Sequence, residues 1–226
     1  MLLTIILGLV FVACVVVLYQ EGLWGNLIRL VNVTTSAVLA TNYYEPLARW
    51  FESKQPTYSY VWDFLAIWAV FVLSMAILRT LTDLISRVKV RFLKVADRVG
   101  SGFFAAWVGW VMVIFTAFSL HTAPLGRTFL RGSFVPEERA EGGVELYWLG
   151  FAQRLSRGTL ARGLDEQEQR RAAYGSSSAD QTGDEQLAVF DRQGLFIPKY
   201  ATRRARLQAY AQQYNAIRVR EEHLVK

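Results

Sequence analysis

The chain has 226 residues, 53% of them hydrophobic, and a formal net charge of +6. The apolar residues concentrate in the first half: nine Lys and Arg against six Asp and Glu precede Arg127, and 16 against 13 follow from there. The basic residues alternate with acids and form no aromatic-flanked stripe, so the excess charge points to anionic lipid headgroups and no nucleic-acid partner is expected. The single cysteine, Cys14, excludes an intrachain disulfide, a CxxC pair and a zinc knuckle.

Four apolar stretches occupy the first 122 residues: Met1 to Tyr19, Leu27 to Tyr44, Tyr60 to Leu78 and Val99 to His121. Each is close to the length that a helix needs to cross a bilayer. The first has no basic residue before it and no small-x-small site before Gln20-Glu21, so it is expected to be retained as a span. The second is the weakest, because Asn32, Thr34, Thr35, Ser36, Thr41 and Asn42 lie within it. It is either buried by its neighbours or does not cross.

Span three opens with aromatic residues and contains Asp63 near its start. The connection that follows carries Arg79, Arg87, Lys89, Arg91, Lys94 and Arg98 against Asp83 and Asp97, which the positive-inside rule places in the cytoplasm. Span three then runs inward, span four outward, and the tail after His121 emerges on the outer face. Leu81, Leu84, Ile85, Val88, Phe92, Leu93, Val95 and Ala96 recur at helical spacing in that connection and read as an interfacial amphipathic helix. In span four, Ser101, Gly102, Ala105, Ala106 and Gly109 make a small-residue stripe for close helix packing, which would also serve a second copy of the chain.

The tail divides by composition. Residues 123–164 form a membrane-proximal amphipathic segment, with Val144, Trp148, Phe151 and Leu155 on one helical face. Residues 165–186, rich in Gln, Ser, Gly and charge, read as a flexible linker. Residues 187–226 hold a final helix from about Tyr200 to Glu222, with Leu207, Tyr210, Tyr214 and Ile217 recurring at three- and four-residue steps. The expected fold is an all-α integral membrane protein: a four-helix transmembrane bundle over 1–122, followed by a partly disordered, partly helical tail.

Little in the chain points to covalent chemistry. His121 and His223 lie in different regions without metal-ligand spacing, and Gly100-Ser101-Gly102 lacks the context of a phosphate loop. No catalytic, cofactor or metal site is expected, and the protein is read as a non-enzyme. Asn32, Ser36, Ala40 and Tyr43 project from one face of span two, where they either make interhelical hydrogen bonds or, with Asp63, line a hydrated path. Asp63 at a helix N-terminus is favoured by the helix dipole, which fits a headgroup-level position as well. Arg29 is expected to reach the cytoplasmic interface.

Gly22-Leu23-Trp24-Gly25 with Arg29 after span one, Ala40 and Tyr43 to Pro46-Leu47 at the end of span two, and Asp97-Arg98-Val99-Gly100 before span four together resemble the colicin V production protein family, CvpA. The resemblance covers about residues 1–122. It implies a bacterial inner-membrane protein of four helices, involved in toxin production or export and in envelope stress tolerance, without accepted catalytic residues. Gly22, Gly25, Arg29, Asp97, Arg98 and Gly100 are its motif positions here. The chain departs from the family in having Thr4 where an acidic residue is common, and in its long tail, which is expected to engage an envelope partner. The alternative is a small-solute transporter or channel lined by Asn32, Ser36 and Asp63.

Overall fold

Leu2–Leu18, without a charged side chain, forms α1 in a computed structural model that describes residues 2–55, 59–85, 94–124, 144–156, 162–163, 187–188, 190–191 and 196–224. A 3-10 turn, Tyr19–Glu21, ends at Gly22, whose φ of +83° lies in the left-handed region that glycine enters at little cost. That reversal starts α2, Leu23–Lys54. It is followed by α3 at Ser59–Ile85, α4 at Lys94–Thr122, α5 at Glu145–Ser156 and α6 at Phe196–Leu224. Arg162–Gly163 (β1) and Leu187–Ala188 (β2) pair antiparallel, with Arg162 opposite Ala188 and Gly163 opposite Leu187.

Among the described residues, three helical stretches are long and apolar enough to cross a membrane: Leu3–Glu21, α3 and α4. The expected fourth, α2, is not among them, because its 32 residues include Asn26, Arg29, Asn32, Thr41, Asn42, Glu45 and Arg49. It is instead the innermost helix, packed on both α3 and α4, with Asn26, Asn32, Ser36, Thr41 and Asn42 all buried. Hydrocarbon cannot hydrogen-bond these groups, and the neighbouring helices can. The outward faces of the apolar helices are suited to lipid: Leu9, Val12 and Val16 on α1, Val72 and Leu73 on α3, and Phe103, Trp107 and Trp110 on α4 are exposed.

The small-residue stripe of α4 receives α1. Ser101, Ala105 and Gly109 are buried, while Gly102 and Ala106 are half-buried. A methyl group on Gly102 would sit 3.5 Å from the Tyr19 ring, and one on Gly109 only 3.1 Å from the Phe11 ring and 3.4 Å from the Phe11 carbonyl oxygen. Without a hydrophobic drive between helices in lipid, such close approach supplies the dispersion contacts that hold them together.

α5 docks on the bundle by a face that only partly coincides with the expected one. Glu145, Trp148, Leu149, Ala152 and Ser156 are buried, whereas Val144 and Leu155 are partly buried and Phe151 is exposed. The rotation lets Trp148 donate from Nε1 to Thr41 Oγ1 at 3.0 Å while its ring meets Phe115 edge-on. α6 starts before the expected Tyr200, because the Asp191 carboxylate accepts the Phe196 N–H at 2.9 Å and caps the helix. Its docked face is Phe196, Tyr200, Ala201 and Arg204. Of the expected face, Leu207 is half-buried, Tyr210 is exposed, and the side chains of Tyr214 and Ile217 lie outside the description. The basic connection is described only at its ends: α3 runs on to Ile85, and Leu81, Leu84, Ile85, Val95 and Ala96 are exposed, while Val88, Phe92 and Leu93 lie outside the described residues. The expected linker, 165–186, also lies outside them.

Because Gly109 meets both ring and backbone of α1, Gly109→Leu is expected to destabilise the bundle by about 1–3 kcal/mol through overpacking. Gly150→Ala, at a helical position with nothing within 4 Å, should be neutral or slightly stabilising. Thermal unfolding in detergent micelles followed by circular dichroism compares the two.

Candidate functional site

The motif positions gather where α1 turns into α2. Asp97, in the first turn of α4, accepts the Leu23 N–H at 2.9 Å and so caps α2 from a distant part of the chain. Beside this cap a methyl on Gly22 would meet Asp97 Oδ1 at 3.4 Å, an ordinary contact, so the positive φ and not the space is what calls for glycine there. Gly100 packs so closely on Leu23 that any side chain would collide with it. Asn26 is fully buried and donates from Nδ2 to Leu18 O (2.8 Å) and Ser101 Oγ (3.0 Å), while Ser101 Oγ donates to Tyr19 O at 2.9 Å. Arg29 turns back to Glu21 at 2.6 Å, and Arg98 is exposed. These residues form a structural knot that joins three helix ends.

The residues proposed to line a path do not converge. Asn32 donates to Thr82 Oγ1 at 3.0 Å, and Ser36 faces Met75 Sδ at 3.9 Å. Thr82 and Asp63 are 19 positions apart on α3, about 28 Å along the helix. Asn32 and Ser36 are both buried as interhelical partners. Tyr43, on the same expected stripe, is exposed.

The densest polar arrangement lies at the opposite end of α3, where α6 meets the bundle. Asp63 Oδ2 accepts from the Tyr200 hydroxyl at 2.9 Å and from the Arg203 guanidinium. Arg203 also donates to the Ser59 carbonyl and lies 5.1 Å from the centre of the Tyr60 ring. Beside them, Lys199 pairs with Glu45 at 3.1 Å, and the hydroxyls of Tyr44 and Tyr200 are 3.3 Å apart. Burial, followed by the Asp63 charge, raises the Tyr200 pKa well above its ordinary value, so the phenol stays a hydrogen-bond donor.

Behind this layer, His121 Nε2 lies 3.1 Å from Glu145 Oε1 and His121 Nδ1 lies 3.3 Å from Arg204 Nη2. All three side chains are 3% exposed or less, and they come from α4, α5 and α6. An apolar seam completes the contact: Phe196 stacks on Phe118 at 4.7 Å and packs on Tyr200 at 4.8 Å.

Tyr60, His121, Tyr200, Arg203, Arg204 and Leu207 border a cleft of about 170 Å³ that opens to solvent. Its enclosed part has room for about one water molecule, far short of a small-molecule site. Among the described residues no group of three or more His, Cys, Asp or Glu is placed to hold a metal ion. The arrangement can fasten a tail to a bundle. Asp63 was visible in the sequence as a carboxylate in an apolar run, and Trp148 as part of an apolar face, but Asn26, Glu145, Arg203 and Arg204 were not singled out. The adjacent Arg203-Arg204, three residues after an aromatic, was the available signal for Asp63's partner.

The family model described as Colicin V production protein matches residues 3–137. No curated protein and no solved structure matches the chain.

Asp63→Ala is expected to weaken docking of α6 by about 2 kcal/mol, the scale of hydrogen bonds to a charged group. Arg203→Ala should cost a similar amount, and the double variant less than the sum, because both remove one interaction. Limited proteolysis of the tail in detergent micelles checks the series. Docking should also weaken under alkaline conditions. The Tyr200 contribution is intact below its ordinary pKa of about 10 and is lost as pH rises through the raised value of the docked state; Tyr200→Phe should reduce that dependence.

Proposed function

Since the chain belongs to the Colicin V production protein family, we propose that it is a non-enzymatic bacterial inner-membrane protein that supports toxin production or export and envelope homeostasis, with its tail presented on the outer face to an envelope partner. The observation that carries this reading is the attachment of α6 to the bundle through Asp63, Tyr200 and Arg203, which makes the tail a positioned part of the membrane unit.

Orientation follows from charge. The Arg- and Lys-rich connection between α3 and α4 favours the cytoplasm. The start of α3 and the end of α4 then lie at the outer face, and α6 contacts both through Asp63 and His121. A scaffold of this kind works by holding and presenting surfaces, and needs no nucleophile or cofactor.

A single cysteine in place of Ser177, in a Cys14→Ala background, tests the orientation by labelling with a membrane-impermeant maleimide. Labelling in intact cells is expected; protection that disappears on lysis would put the tail in the cytoplasm and overturn the outer-face assignment. Deletion of 187–226 is expected to abolish complementation of toxin export while membrane insertion persists. Full complementation by the truncated chain would remove the role given to α6.

A further inference from the structure

We propose that α5 is an in-plane membrane helix whose outward face, from Leu146 to Phe151, lies against the acyl chains and glycerol region of phospholipid in the leaflet that holds the end of α4. The helix lies outside residues 3–137, which the family model matches. Its depth follows from the bundle. Asp97 caps α2 at Leu23, which brings α2 and α4 to a common level at that end. Thr41 and Phe115, the two side chains that Trp148 meets, each lie 18 positions further on, about 27 Å along their helices. The hydrocarbon layer is about 30 Å thick. Were it to begin at the charged cap itself, Trp148 would still lie inside its far boundary, and any tilt of the helices places it deeper.

α5 also lies across the bundle. At its start Val144 packs on the cluster of Leu3, Leu7, Val113 and Ala117, and Glu145 meets His121; at its end Ser156 accepts the Phe190 N–H beside Phe118. These contacts stay within about two and a half turns of α4. The apolar face expected from the sequence, Val144, Trp148, Phe151 and Leu155, is centred about a quarter turn from Glu145, Leu149, Ala152 and Ser156, which dock. Glu145 reaches His121 in the last turn of α4, while Trp148 reaches Phe115 nearer the middle, so the apolar edge points toward the bilayer centre. The side away from the bundle carries Leu146, Tyr147, Gly150, Phe151 and Arg154, all exposed, with Tyr147 at 71%.

Depth and composition together select lipid as the occupant of this face. Helices that pack on one another in a bilayer present small residues and polar groups, whereas Leu146, Tyr147 and Phe151 are large and carry one hydroxyl among them. Aromatic rings at the headgroup boundary, with a long basic side chain such as Arg154 able to reach the phosphates, are the composition of an interfacial helix. Lipid contact then fixes the level of α5, and α6 starts from that level, because Gln153 donates to the Asp191 carbonyl at 3.2 Å and the Asp191 carboxylate caps α6. The inference holds whichever side of the membrane the tail occupies, and so stands apart from the function proposed above.

The test uses the full chain in phospholipid nanodiscs, with one nitroxide at a time on a cysteine replacing Tyr147, Gly150, Glu52 or Val72 in a Cys14→Ala background. All four sites are exposed, and an added methyl at Gly150 meets nothing within 4 Å. Power saturation compares collision with oxygen, which concentrates among acyl chains, and with a water-soluble nickel chelate. The labels at 147 and 150 should be open to oxygen and shielded from nickel, like the one at Val72 in the span and opposite to the one at Glu52. Nickel access equal to that at Glu52 places the face in water and overturns the proposal. Shielding from both reagents marks a protein cover, such as a second copy, and overturns it too. Should a label displace α5, the unsubstituted chain is irradiated with a phospholipid carrying an acyl-chain diazirine. Adducts on the peptide containing Leu146–Phe151 support lipid contact; adducts on α1, α3 and α4 with none on α5 overturn it.

Discussion

A helix bearing Asn26, Asn32, Ser36, Thr41 and Asn42 cannot face hydrocarbon, and the placement of the other helices follows from that exclusion. α3 and α4 cover α2 on two sides, and its buried polar side chains find donors or acceptors locally or across an interface: the Asn26 amide NH2 with Leu18 and Ser101, Asn32 with Thr82, Ser36 with Met75, Thr41 with Ala37 and Trp148, Asn42 with Val38. Individually such bonds contribute modestly in a membrane, about 0.6 kcal/mol on average. Their larger effect is on uniqueness, since any rotation of α2 would leave several donors facing lipid.

The same exclusion explains the tail. Asp63 lies just ahead of the long apolar run of α3, and His121 lies in the last turn of α4. Left against lipid, each would carry an unmet polar group. α5 and α6 supply Glu145, Tyr200, Arg203 and Arg204 to these positions, and aromatic rings around Phe118 fill the space between. Polar pairing thus determines where α5 and α6 sit, and apolar contact contributes most of the dispersion energy. The membrane unit and the first turns of α6 share one core, which includes Tyr200 and Phe196 alongside Phe115 and Phe118.

The uncharged runs of α1, α3 and α4 were legible because length and composition suffice to recognise a helix suited to lipid. The small residues from Ser101 to Gly109 were legible for a similar reason: four-residue spacing has one main physical use. α2 was harder, since polarity inside an apolar stretch is compatible with a span shielded by neighbours and with a helix that does not cross. The buried face of α5 was displaced because periodicity locates an apolar stripe but cannot weigh a Trp148 hydrogen bond against exposure of Phe151. Long-range polar partners were the least accessible. Asp63 and Arg203 are 140 positions apart, and nothing in local spacing connects them.

The short pairing of β1 with β2 has an evolutionary consequence. It brings Arg162 opposite Ala188 and Gly163 opposite Leu187, so the intervening stretch begins and ends at one place. Joining two fixed points of a chain costs only about 0.6 kcal/mol more for each doubling of the number of residues between them. The number of residues between Gly163 and Leu187 can therefore change across generations while the pairing is kept, so evolution constrains the two ends of this stretch more tightly than its length.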